Sequence, residues 1–181
     1  MKSPEGRTLA AALKSLVDIA FYIAVAAAVL IGLGAVVFAV AAASGGTFDF
    51  GIGGVSVDAD NWQAVAPAFL SGLIYSFAGI VILTCLRRIF VTLAAGDPFL
   101  PTNARRLEII GWAIAALEVS RYAVQAASAW IIAAFGHPTG GVLDVGFRPS
   151  FPTWIAVIVV FVLAQVFREG ARLREDRDLT I

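Results

Sequence analysis

The chain has 181 residues, 60% of them hydrophobic, and its 13 basic and 13 acidic side chains cancel to a formal charge of zero. Together with a mean hydropathy of +0.88, this composition is too apolar for an ordinary soluble domain and points to an integral membrane protein. A single cysteine, Cys85, excludes an internal disulfide and reads as a plain buried thiol.

Four apolar stretches follow one another, each near or above the roughly 20 residues needed to cross about 30 Å of hydrocarbon. The first runs over 17–43, an Ala/Val/Leu segment without a charge after Asp18. Val40-Ala41-Ala42-Ala43-Ser44 has the small residues of a signal cleavage site, but signal h-regions are about 7 to 15 residues, and this run is far longer, so it reads as a retained span. The second span covers 65–86 and stops at Arg87-Arg88. The third covers 109–135 and is apolar apart from Glu118, Arg121 and Gln125, while the fourth, 152–167, is flanked by Trp154 and Arg168. The expected fold is therefore an all-α membrane protein, a four-helix transmembrane bundle forming a single domain over 1–181.

Orientation follows from the Lys and Arg near the spans. Lys2, Arg7 and Lys14 precede the first span, Arg87, Arg88, Arg105 and Arg106 lie between the second and third, and Arg168, Arg172, Arg174 and Arg177 follow the fourth. The two opposite loops carry only Arg148. Both termini, the loop 87–108 and the tail 168–181 are thus expected in the cytoplasm.

Packing in lipid needs small residues and hydrogen bonds, because hydrocarbon removes the hydrophobic drive between helices. Ala24, Ala28 and Gly32 form such a ridge on the first span, Gly72 and Ser76 on the second, and Gly111 and Ala115 on the third. Within the third span, Glu118 and Arg121 lie three residues apart on one helical face, and Tyr122, Gln125 and Ser128 extend a polar stripe. A charge at that depth costs at least about 2.5 to 3.5 kcal/mol unless paired, so this face should turn inward. Tyr75 and Ser76 are the expected partners at the same depth. The pair reads either as a ligand or ion site or as a self-satisfied salt bridge that fixes register.

The first outer loop, Gly45 to Asp58, alternates apolar and polar residues about a Gly-rich centre and reads as a small extracytoplasmic β-hairpin. Gly140 to Phe147 adds one further strand to make a small sheet. Asp58, Asp60 and Asn61 lack the oxygen-rich spacing of a calcium loop. His137 stands alone and builds neither a zinc site nor a catalytic triad. No metal, no cofactor, no enzymatic activity and no direct binding of nucleic acid are expected.

On the inner side the second helix can continue to Ala95. Gly96-Asp97-Pro98-Phe99 reads as a turn, and Pro101-Thr102-Asn103 as helix-start chemistry for Ala104 onward. The tail mixes four Arg with four acids before its apolar end Leu179-Thr180-Ile181, which suits docking onto the loop or onto a partner better than a basic lipid patch, with a frayed tail as the plain alternative.

Gly96-Asp97-Pro98-Phe99 followed by Asn103, then Arg105-Arg106-Leu107 and Ile110-Gly111-Trp112, with the ending Phe167-Arg168-Glu169-Gly170 and Leu173 through Asp178-Leu179-Thr180-Ile181, resembles the bacterial family called domain of unknown function 2975. The resemblance implies a four-span membrane protein without an assigned activity, often encoded beside a small helix-turn-helix DNA-binding regulator. The expected function is a membrane-embedded sensor or regulatory anchor. Asp97, Pro98, Phe99, Asn103, Arg105, Arg106, Leu179, Thr180 and Ile181 are the candidate surface for such a cytoplasmic partner. The alternative is a small homo-oligomeric transporter or channel subunit built on the Glu118/Arg121 stripe.

Overall fold

The structure, a computed structural model, describes residues 4–44, 47–49, 56–58, 62–135 and 150–178. Four helices carry it: α1 Pro4–Ser44, α2 Trp62–Ala95, α3 Pro101–Phe135 and α4 Phe151–Asp178. Three are long and apolar enough to cross a membrane, over Leu13–Ala41, Val65–Ala95 and Phe151–Asp176. The helix α3 covers the whole third expected span, but Glu118, Arg121 and Gln125 dilute its apolar character and leave it outside that set.

Each helix overruns the apolar span from which it was inferred. Charged side chains at a membrane edge end hydrocarbon burial, yet Arg and Glu are good helix formers, so the backbone ladder continues through them. Thus α2 runs past Arg87-Arg88 to Ala95, and α4 runs past Arg168 to Asp178. On α1, Leu16, Ile19, Ile23, Leu30, Leu33 and Val40 are all more than half exposed. Their three- and four-residue spacing makes one apolar outer stripe, a surface suited to acyl chains and foreign to water.

Two three-residue strands, β1 Thr47–Asp49 and β2 Ser56–Asp58, pair antiparallel with Phe48 opposite Val57. They form a two-stranded antiparallel sheet of three residues a side. Gly140 to Phe147 lie outside the described residues.

The chain forms two compact units. One comprises Ala26–Phe77 and Val119–Pro149. Here α1 meets α2 through glycine: a Cβ on Gly34 would lie 3.0 Å from the Phe69 ring, and one on Gly72 would lie 3.3 Å from Ile31. Phe38 tilts against Phe69 at 5.9 Å between centroids, and Ala41 is buried. The packed face of α1 is therefore Ile31, Gly34, Phe38 and Ala41. Gly32, expected on the contact ridge, has nothing within 4 Å of where its Cβ would be. The contact is set by Ile31, Gly34 and Phe38, and Gly32 stands off it.

The other unit comprises Met1–Val25, Ala78–Glu118 and Ser150–Ile181. Its core is small: Cys85, Ile89 and Ile110, flanked by Ile82, Leu86, Leu107, Ile114 and Val160. Gly111 receives the Phe161 ring, 3.1 Å from where a Cβ would stand, and Trp112 meets the same ring edge-on at 5.4 Å. Ser150 caps α4, its carbonyl accepting from the Thr153 amide and its hydroxyl 2.6 Å from that of Thr153.

Candidate functional site

The inner loop is locked by its own backbone before any side chain acts. Gly96 adopts φ 93°, the left-handed conformation that glycine reaches without strain. The Gly96 amide then donates to the Leu93 carbonyl and the Asp97 amide to that of Thr92, both at 3.1 Å. These two bonds form a Schellman stop, and Pro98 beyond it prevents the helix from resuming. Pro101 opens α3 at the first helical position, where its missing N–H costs nothing. Asn103 is accordingly the third residue of α3, inside the helix whose start was expected near Ala104.

Asn103 is fully buried, at 0% exposure. Its amide nitrogen donates to Thr92 Oγ1 at 2.7 Å and to the Pro98 carbonyl at 3.0 Å. Its Oδ1 accepts from Arg106 at 2.8 Å, and the same Arg106 nitrogen donates to the Arg88 carbonyl at 3.1 Å. The Thr92 hydroxyl in turn donates to the Ile89 carbonyl at 2.7 Å. One asparagine thus ties the end of α2, the turn and the start of α3 together, with every polar atom of its side chain engaged.

The tail docks onto this loop. A Cβ on Gly170 would lie 2.6 Å from the Phe99 ring, so the absence of a side chain at 170 makes room for it. Phe99 also packs against Phe167 at 5.5 Å between centroids. Arg174 donates to Asp97 at 2.7 Å, and Arg168 pairs with Glu108. Phe99 remains 42% exposed, and Arg105 points outward. Leu179, Thr180 and Ile181 lie outside the described residues. Asp97, Pro98, Phe99, Asn103 and Arg106 are therefore brought together, with Asn103 acting from inside rather than as surface. Gly170, Arg174, Thr92 and Glu108 belong to the same assembly. The mixed charge of the tail was the signal for the two ion pairs; nothing in the sequence alone singled out Thr92.

Along α3, Glu118 is buried at 5% exposure and Arg121 is half-buried, its guanidinium carbon 4.8 Å from the centroid of the Tyr122 ring. Gln125 Oε1 is buried without a hydrogen-bond partner among the described residues, and Ser128 is buried and donates to the Val124 carbonyl at 2.8 Å. On α2, Tyr75 is 47% exposed and Ser76 is half-buried.

Three apolar spanning-length helices and an outward apolar stripe define a membrane protein. Residues 57–181 match the model of the family described as protein of unknown function (DUF2975), and the chain belongs to that family. No curated protein and no solved structure matches the chain.

Proposed function

We propose that the protein crosses the bacterial inner membrane four times, with α3 as the remaining span and both termini in the cytoplasm. There it acts as a sensor or regulatory anchor rather than as an enzyme. The arginine distribution supports this orientation, since loop 87–108 and tail 168–181 hold eight of the basic residues named above. The observation that carries the regulatory reading is the docking of the tail on the locked loop through Phe99, Gly170, Asp97 and Arg174. That contact builds one shaped surface, with Arg105 on its exterior, from two segments distant in sequence. A cytoplasmic protein is the partner that such a surface suits, and a helix-turn-helix regulator is the candidate that the family resemblance suggests.

The test is crosslinking of the tagged protein in its own host, comparing the full chain with one truncated before Leu173. Capture of a DNA-binding protein by the full chain alone is the expected result. Recovery of nothing but copies of itself refutes the reading and favours the oligomeric transporter. The buried carboxyl of Glu118 is the observation on which that second reading rests, and proteoliposome flux lost in Glu118→Gln would establish it.

A further inference from the structure

Between α1, α2 and α3, within the unit that contains the inner loop, a cleft of about 360 Å³ is lined by Phe21, Arg87, Arg88, Val91, Thr92 and Arg106 among others. Three arginines converge there, and their charges are not equally compensated. Arg87 lies 2.6 Å from Asp18 Oδ1 and 5.8 Å above the Phe21 ring, so its charge is met by a carboxylate. Arg106 donates only to neutral oxygens, those of Asn103 and the Arg88 backbone. The Arg88 side chain is exposed and has no acidic partner among the described residues. The nearby acids are already engaged, Asp97 with Arg174 and Glu108 with Arg168. Two positive charges therefore face one cleft with no counter-charge among the described residues.

We propose that this cleft binds a phosphate-bearing anion. Guanidinium forks match phosphate oxygens bidentately, and two of them at the wall of one cleft favour a compact oxyanion over a diffuse charge. The second wall is apolar, from Phe21 and Val91, which suits the glycerol and first acyl carbons of a phospholipid. The arginines also follow the apolar run of α2, where a lipid phosphate sits. The same chemistry admits a soluble phosphate compound. The inference concerns the cleft alone and does not depend on the regulatory partner.

The test uses the purified full chain in neutral detergent. Native mass spectrometry counts retained lipid after adding equal phosphatidylglycerol and phosphatidylcholine, and thermal stability is titrated in parallel with inorganic phosphate. The expected result is at least about tenfold preference for phosphatidylglycerol, lost in Arg88→Gln and kept in Arg105→Gln, which removes the same charge from outside the cleft. Stabilisation by inorganic phosphate that Arg88→Gln abolishes, without lipid preference, supports the site and makes its source soluble. Equal binding by wild type and Arg88→Gln, equal loss in both variants, or binding of neither probe by wild type would overturn the proposal. Arg88 is exposed on a helix and its side chain holds nothing in place, so the variant folds; the wild-type measurement stands by itself in any case.

Discussion

Replacing Asn103 by alanine removes three hydrogen bonds at a position with 0% exposure. Two of them are neutral, worth about 0.5 to 1.5 kcal/mol each, and the one from Arg106 is charge-assisted, worth about 1.5 to 3 kcal/mol. Two losses are partly recovered: Arg106 keeps the Arg88 carbonyl, and Thr92 keeps its bond to Ile89. Only the Pro98 carbonyl is stripped outright. The net cost is therefore about 2 to 4 kcal/mol, below the simple sum. It falls on the local opening of the loop, since the helices pack elsewhere through Gly111 and Phe161. At about 1.4 kcal/mol per factor of ten, even the lower figure raises the open population roughly 30-fold.

Amide hydrogen exchange at Gly96, Asp97 and Asn103 reads this directly, because each amide is bonded within the turn. Thr92→Val removes one acceptor without changing shape and should cost about 1 kcal/mol; combined with Asn103→Ala it should add almost nothing, as both act on one network. Exchange in Asn103→Ala within about threefold of wild type would refute the assignment of the lock to this side chain, for it would mean that the Schellman turn holds without it.

Gly34→Leu should be strongly destabilising, by about 1 to 3 kcal/mol or more from forcing Phe69 aside, whereas Gly32→Leu, two residues away, should be tolerated because nothing lies within 4 Å; melting of the purified variants in detergent compares them. Gly170→Leu should expel the Phe99 ring and release the tail, read as tryptic cleavage after Arg172 and Arg174 at rates well above wild type. A phosphatase reporter fused after Ile181 should be inactive and a fluorescent one bright, as for a cytoplasmic terminus.

Helix existence was legible because apolar runs near or above twenty residues have few other readings. Helix ends were legible only where local chemistry sets them. Gly96 before Asp97-Pro98 marked the end of α2, whereas the start of α3, expected near Ala104, lies at Pro101. Lateral packing was legible in part: Gly72 and Gly111 do receive neighbours, but Gly32 and Gly34 look alike in sequence, and which one meets a neighbour depends on where Phe69 lies. The inner loop was recognisable as a motif, but the inward direction of Asn103 follows from Thr92, eleven residues earlier on another helix.

The same magnitudes separate two layers within the inner unit. Loop closure by Asn103 is buried and worth about 2 to 4 kcal/mol. The tail is held by ion pairs whose side chains are half-exposed, 49% and 49% for Arg174 and Asp97, and 52% and 33% for Arg168 and Glu108. Exposed pairs of that kind contribute at most about 1 kcal/mol each and weaken with salt. The Phe99 ring adds contact, but at 42% exposure it is only partly desolvated. The loop is thus a fixed platform and the tail a weakly held cover. The loop can therefore stay closed while the tail contacts open, because the buried bonds of Asn103 and the half-exposed ion pairs of the tail are separate sets.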